Sequence, residues 1–168
     1  APAYDEAAVK KAQMAKQAAK LPCGCPGSQS KAIQRNEVSI QPAACTITSQ
    51  LRQWPVQIKL VPVNAPYFDG ANLLIAADCT AYSYGNFHHD FMRNRVTMIG
   101  CPKLDAVDYA EKLTQIFRHN HICSVTVTRM TVPCCGGISY AVKTAIENSG
   151  KNIPLQIVTI SPDGKIMR

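Results

Sequence analysis

Cysteine offers the most chemistry in this chain, because eight of the 168 residues are cysteines. They lie at positions Cys23, Cys25, Cys45, Cys79, Cys101, Cys123, Cys134 and Cys135. Thiolates act as nucleophiles and as ligands for zinc ions and iron–sulfur clusters. Cys134 is adjacent to Cys135, and a single glycine separates Cys23 from Cys25, so neither pair suits an ordinary structural disulfide. The pattern favours a reducing compartment and thiols that bind metal or carry out catalysis.

Half of these cysteines follow predicted β-strands. Leu73 to Cys79 is mostly apolar, as in a strand buried on both faces, and Val96 to Cys101 has the same character. A β-branched strand at Ser124 to Met130 precedes the adjacent cysteine pair. Neighbouring parallel strands end at one edge of a sheet and lie about 4.8 Å apart, so we expect these thiols to converge on one inorganic centre. The predicted ligands are Cys79, Cys101, Cys134 and Cys135.

Other residues near these positions could support the same centre. Gly136 and Gly137 begin the helix predicted after the cysteine pair, where backbone N–H groups of glycine can approach inorganic sulfide. His88, shortly after Cys79, is the candidate proton donor or additional ligand. Asp78 could tune the site electrostatically, although a helix-capping role competes with that interpretation.

The Cys23-Gly-Cys25 loop is a second candidate for metal ligation. Prolines on both sides stiffen the loop, so both thiols could face one metal ion. The pair could complete the strand-end site, bind a second metal, or form a reactive loop. Cys45 lies in a polar stretch and Cys123 precedes a strand without a matching partner, so we expect both to be structural.

The elements that position these residues alternate along the chain. Further strands are predicted at Val56–Val63 and Leu155–Ile160, with a short edge at Lys165–Met167; helices are predicted at Ser83–Arg93, Asp105–His119 and Gly136 to about Asn148. Buried strands that alternate with amphipathic helices predict an α/β fold. We expect a three-layer, mostly parallel sheet with flanking helices, Rossmann-like or flavodoxin-like. Ligands of such sheets bind outside the carboxyl ends of the strands.

Composition sets the domain organisation and excludes several classes of protein. We expect a helical leader or linker at 1–20, an irregular segment with the Cys-Gly-Cys loop at 21–55, and the α/β domain at 56–168. Hydrophobic residues make up 46% and charged residues 17%, which argues against disorder. The longest apolar run, Leu73 to Ala77, is far shorter than the roughly 20 residues of a membrane span. The net charge is +7, but the basic residues are scattered, which argues against a nucleic-acid site.

Several sequence blocks resemble a family of iron–sulfur proteins from anaerobic bacteria, described as 4Fe–4S ferredoxin-type binding proteins. The blocks are LPCGCPGS (21–28), QLRQWPVQI (50–58), APY (65–67), AADC (76–79), FH (87–88), IGCPKLD (99–105) and VPCCGG (132–137). The resemblance covers 21–168. In that family a ferredoxin module with two clusters commonly precedes this region; the module is absent from this sequence, whose first 20 residues resemble the family's inter-domain linker. The resemblance implies a 4Fe–4S cluster and a ferredoxin domain or other redox protein as partner.

Three functions are compatible with these residues. The first is a cytoplasmic iron–sulfur module for electron transfer, without a membrane partner. The second is a structural or interaction domain with a zinc ion, because four thiolates suit zinc as well as iron. The third is a thiol- or metal-dependent enzyme in which His88 supplies a proton beside an open coordination position. The sequence leaves the oligomeric state open.

Overall fold

Five β-strands form one sheet in the computed structural model, which describes residues 47–167. They are β1 (Ala71–Ala77), β2 (Val96–Gly100), β3 (Ile122–Met130), β4 (Leu155–Ile160) and β5 (Ile166–Met167). The strand order is β2-β1-β3-β4-β5. Strands β1 to β4 run parallel to one another, and β5 pairs antiparallel with β4. The predicted mostly parallel α/β sheet is therefore confirmed.

Three helices and two short helical turns connect the strands, and a third short turn precedes β1. The helices are α1 (Thr80–Ser83), α2 (Tyr109–His119) and α3 (Gly136–Ser149); the turns are 3₁₀ at Pro66–Phe68, π at His88–Met92 and 3₁₀ at Pro133–Cys135. Helix α3 ends at Gly150, which adopts the left-handed conformation with φ of 71° that glycine tolerates at a helix end. None of the helices between residues 47 and 167 has the length and apolar character that a membrane crossing requires.

Apolar side chains cover both faces of the sheet. Leu73 and Ile75 of β1 pack in one cluster with α2 and α3, whereas Leu74 and Ala76 pack in a second cluster that includes Phe87. Successive side chains of a strand point to opposite faces, so a central strand covered on both faces must be apolar along its length. The arrangement gives the three expected layers and explains the apolar run in β1.

The segment predicted as a first strand, Val56–Val63, is not a strand. It runs beside β2 only at Ile99, whose N–H donates to the Val56 carbonyl at 2.8 Å and whose carbonyl accepts from Ile58 at 3.0 Å. The chain then turns, because the N–H groups of Leu60 and Val61 both donate to the carbonyl of Gln57. The apolar residues of this segment contribute to the core from a turn instead of from a pleated strand.

Two predicted helices are shorter than expected. The segment Ser83–Arg93 is divided between the end of α1 and the π turn, with Gly85 between them. Helix α2 begins at Tyr109, because the Asp108 carboxylate accepts a hydrogen bond from the N–H of Ala110 at 2.8 Å and caps the helix there. The leader at 1–20 and all but the end of the segment at 21–55 lie outside the described residues.

Candidate metal centre

Four thiols lie at the carboxyl edge of three adjacent strands. Cys79 lies two residues beyond β1, where it precedes α1, and Cys101 follows β2 directly. Cys134 and Cys135 belong to the 3₁₀ turn after β3. Strand β1 lies between β2 and β3, and all three strands point the same way. The structure therefore brings the predicted ligands within the described residues to one edge. The prediction that Cys79 and Cys101 are the last residues of their strands is wrong by two residues and by one residue, respectively.

The charges of these thiols affect one another. Cys79 is exposed as a residue, but partial desolvation of its thiol raises its pKa, and the negative charges that Cys101, Asp78 and Cys134 can carry raise it further. Burial also raises the pKa of Cys135, with added contributions from the other three thiols and an opposing backbone hydrogen bond with Met130.

The four thiols differ in their access to solvent. Cys79 is exposed, Cys101 and Cys134 are partly exposed, and Cys135 is 6% exposed within the apolar cluster under the edge. All five cysteines within residues 47–167 are free, including Cys123 at the start of β3. The Cys123 thiol donates to the carbonyl of Gly70 at 3.3 Å, near the opposite edge of the sheet. Cys23, Cys25 and Cys45 lie outside the described residues.

The start of α3 packs against the loop that follows β2. A Cβ atom added to Gly137 would lie 3.1 Å from Cβ of Pro102, so the helix approaches this loop at a distance that favours glycine. This contact holds the turn with Cys134 next to the loop with Cys101. The N–H of Gly136 donates to the carbonyl of Pro133, so this donor is already occupied.

Acidic groups surround the thiol edge. Burial raises the pKa of Asp78, and the nearby Asp105 raises it further. Oδ1 of Asp78 is buried and has no hydrogen-bond partner among the described residues. Asp105 accepts a hydrogen bond from the Tyr109 hydroxyl at 2.5 Å. Burial and this hydrogen bond raise the pKa of Tyr109, so the hydroxyl remains protonated beside the carboxylate.

The donor type at this edge, the thiol, is the one that iron–sulfur clusters use and that many zinc sites use. Within the described residues, no group of three or more His, Cys, Asp or Glu side chains is placed so that it could hold a metal ion. Each cysteine can adopt three staggered χ1 rotamers, so rotation about a single bond changes the direction of a thiol without moving the strand ends. Thiolates whose charges repel one another are the groups that a bound cation stabilises.

His88 lies in the π turn and lines a neighbouring cleft together with Asp78. The backbone N–H of Gln50 donates to Nδ1 of His88 at 3.0 Å, so the neutral imidazole carries its proton on Nε2. Sequence reasoning missed the aromatic side chains at the mouth of this cleft, Trp54 and Tyr82. They are isolated in the sequence, and only their exposure in the folded chain distinguishes them.

The four parallel strands carry helices on one face and a second apolar cluster on the other, with polar groups at the carboxyl edge. This arrangement is that of a Rossmann-like protein. The chain belongs to the Rossmann-like domain family, whose model matches residues 65–168. It is also 31% identical over 118 residues to an uncharacterized protein of the archaeon Archaeoglobus fulgidus. The aligned region covers 70% of this chain and 83% of the archaeal protein. No solved structure matches the chain significantly.

Proposed function

We propose that the thiol edge holds an iron–sulfur cluster, of the 4Fe–4S type, and that the domain transfers electrons. The proposal rests mainly on the four thiols that follow the carboxyl ends of three adjacent parallel strands. A single cysteine at a strand end is usually a packing residue. Four thiols from three strands at one edge are difficult to explain by packing, since three of them are accessible to solvent.

The proposed ligands are Cys79, Cys101, Cys134 and Cys135. When bound, a cluster of this kind accepts and returns single electrons. The residues of this chain would provide the negative ligands, and the exposed position of Cys79 would give a redox partner access to the centre. The proposed partner is a ferredoxin domain or another redox protein, in agreement with the resemblance to ferredoxin-type proteins.

The ionisation of the thiols would couple ligation to pH. Burial and mutual repulsion raise the pKa of Cys79 and Cys135, so both thiols hold their protons more firmly than a free cysteine. Ligation requires the thiolate form and releases these protons. Incorporation of iron should therefore increase as the pH rises toward the ordinary pKa of cysteine.

Two alternative functions use the same residues. A zinc ion suits four thiolates and would make the domain a structural or interaction module. Catalysis would require an open coordination position and a proton donor, and His88 is the candidate for that donor. For Cys23 and Cys25, which lie outside the described residues, a metal site of their own or a reactive loop stays a prediction from the sequence.

Serine substitution of each cysteine, followed by anaerobic reconstitution with iron and sulfide, tests the proposal. Most of the bound iron should be lost in each variant of a proposed ligand: Cys79→Ser, Cys101→Ser, Cys134→Ser and Cys135→Ser. The control variant Cys123→Ser should retain its iron. The double variant Cys23→Ser/Cys25→Ser tests whether that loop contributes ligands. Full iron retention by all four single variants would contradict the proposed site, and stoichiometric zinc in anaerobically purified protein would favour the structural alternative.

A further inference from the structure

A polar pocket of about 400 Å³ lies at the amino edge of the sheet, opposite the thiol edge. Two neighbouring strands begin there: Ala71 and Asn72 are the first residues of β1, and Val96 is the first residue of β2. Six of the nine residues that line the pocket have polar or charged side chains. A pocket of this composition suits a polar ligand, because an apolar one would leave these groups without hydrogen-bond partners.

Positive charge predominates in this pocket. Arg52 and Arg95 line it together with one carboxylate, Asp69, and neither arginine forms an ion pair with a carboxylate of the described residues. The Arg95 side chain is held in place, because its Nη1 donates to the carbonyl of Phe91 at 2.9 Å and to that of Asp90 at 3.3 Å. Its Nε and Nη2 have no partner within residues 47–167 and are available to a ligand.

Two primary amides add uncharged donors to the pocket. Oδ1 of Asn72 accepts a hydrogen bond from the Ser124 hydroxyl at 2.7 Å, which leaves the NH₂ group as the free end of this amide. Asn94 lies in the turn before β2 with a φ of 60°, and its side chain has no hydrogen bond with another described residue. A ligand in the pocket therefore meets two guanidinium groups and two amides.

A second polar pocket shares three lining residues with the first and adds Arg93. Asp90 also lines this second pocket, but both oxygens of its carboxylate already accept hydrogen bonds. The donors are Tyr84, Asn86 and His89. Arg93 itself has no partner within the part of the chain that the structure describes. The arginines at this edge therefore outnumber the carboxylates that are free to pair with them.

We propose that the pocket binds the phosphate group of a small phosphomonoester. A phosphate group carries a charge of about −1.5 to −2 at neutral pH and three strong acceptor oxygens. The planar fork of an arginine pairs with two such oxygens at once, and the amides are available to the remaining one. A carboxylate has fewer oxygens and less charge, so it would use fewer of these donors. Cavities of this volume hold whole small molecules, which leaves room for the alcohol part of the ester.

Isothermal titration calorimetry at constant, low ionic strength tests the proposal with three probes. They are inorganic phosphate, glycerol phosphate and acetate. Glycerol phosphate should bind at least as tightly as inorganic phosphate, and both should bind about tenfold more tightly than acetate, because each makes additional charge-assisted hydrogen bonds.

Three variants assign the binding to the pocket. Arg95→Gln and Arg52→Gln should each weaken the binding of glycerol phosphate about tenfold, as expected for the loss of hydrogen bonds to a charged group. Lys143→Gln is the matched control, because it removes the same charge from an exposed position of α3 that lines neither pocket. Its effect should stay below about twofold, because salt screens distant surface charges. Arg52 has no partner within the described residues, so Arg52→Gln keeps the test valid if Arg95→Gln does not fold.

The absence of measurable binding of either phosphate probe would overturn the proposal, as would equal affinity for acetate. Equal weakening by Lys143→Gln and Arg52→Gln would also overturn it, because the probes would then respond to net charge and not to the pocket. Iron content measured on the same samples separates this proposal from the proposed cluster. Phosphate binding by iron-free protein supports the pocket alone, since the pocket lies at the opposite edge of the sheet from the thiols.

Discussion

At the scale of single residues, the thiol edge combines groups that share one sign of charge. Asp78 and Asp105 repel each other, and thiolates at Cys79, Cys101 and Cys134 would add further negative charge. Without a bound cation, Cys79 and Cys135 therefore hold their protons more firmly than a free cysteine does. Repulsion between acidic groups at a solvent-accessible edge is typical of a site that binds a cation.

Alkylation of Cys79 measures this repulsion directly. Because burial and neighbouring negative charges raise the pKa of Cys79, its reaction with iodoacetamide in the metal-free protein should reach half its maximal rate at a higher pH than that of a free cysteine. Among the neighbouring charged groups, Cys101 contributes most to the raised pKa of Cys79. Cys101→Ser removes this contribution and should lower the pH of half-maximal reaction. Peptide mass spectrometry at several pH values provides the rates.

Cys123→Ser is the control for this measurement, because Cys123 lies near the opposite edge of the sheet. The coupling described for the thiol edge would be refuted if Cys123→Ser and Cys101→Ser shifted the midpoint of Cys79 equally.

Gly100, at the end of β2, is required for a steric reason. A Cβ atom at this position would lie 2.6 Å from the Tyr109 hydroxyl and 3.3 Å from Ile58. Gly100→Ala should therefore lower the free energy of unfolding by about 1–3 kcal/mol, the usual cost of overpacking. Denaturant unfolding measures the change.

Gly85→Ala is the matched substitution, because no described atom lies within 4 Å of an added Cβ at Gly85. Its free energy of unfolding should differ from that of the wild-type protein by less than about 1 kcal/mol. Equal destabilisation by the two substitutions would contradict the close approach of Tyr109 to β2.

At the scale of secondary-structure elements, the buried parallel strands could be predicted from the sequence, but the conformation of the segment Val56–Val63 beside β2 could not. Strands β1 to β4 carry apolar or β-branched runs long enough to define them, and Leu155–Ile160 was predicted with its observed bounds. The segment Val56–Val63 has the same composition, yet it pairs with β2 at only one residue. A short apolar run indicates burial, but it does not distinguish a strand from a turn packed on a sheet edge.

The cleft could not be predicted for a similar reason. Its outer wall comes from the irregular segment before β1, including Leu51 and Trp54, which has no periodic pattern. The strand-end cysteines, in contrast, could be located because the carboxyl ends of parallel strands always share one edge. Whether Cys23 and Cys25 join them stays a prediction.

The contact between α3 and the loop after β2 predicts a difference between two adjacent glycines. A Cβ atom at Gly137 would lie 3.1 Å from the rigid ring of Pro102, whereas one at Gly136 would lie 3.6 Å from the flexible guanidinium of Arg129. Gly137→Ala should therefore have a free energy of unfolding about 1 kcal/mol lower than that of Gly136→Ala. It should also incorporate less iron, because the added methyl group moves α3 away from the loop with Cys101.

Parallel unfolding and reconstitution experiments on these two variants provide the comparison. Because both substitutions add the same methyl group to the first turn of α3, their helix propensities largely cancel. Greater loss of stability and iron in Gly136→Ala than in Gly137→Ala would contradict the proposed packing.

At the scale of the whole molecule, the raised thiol pKa values link stability to pH. A folded state that raises the pKa of an acidic group favours its protonated form, so the unfolded chain ionises first as the pH increases. For Cys79 and Cys135 the folded state therefore loses stability as the pH rises through about 8.5, the pKa of an unperturbed cysteine. Below that pH the two thiols contribute no pH dependence.

Unfolding of the metal-free, reduced protein between about pH 7.5 and pH 9.5 checks this linkage, because tyrosine titrates mainly above this range. The denaturant midpoint should fall with increasing pH, and the double variant Cys79→Ser/Cys135→Ser should show a smaller fall. An identical decrease in the two proteins would assign the effect to other groups.

The content of iron, acid-labile sulfide and zinc in the full chain, purified without exposure to oxygen, tests the central claim most directly. We predict iron and sulfide in equal amounts, about four of each per chain for a single 4Fe–4S cluster, with visible absorption that dithionite bleaches. A colourless protein that contains one zinc ion per chain, or neither metal after reconstitution, would contradict the assignment of the thiol edge as an electron-transfer centre.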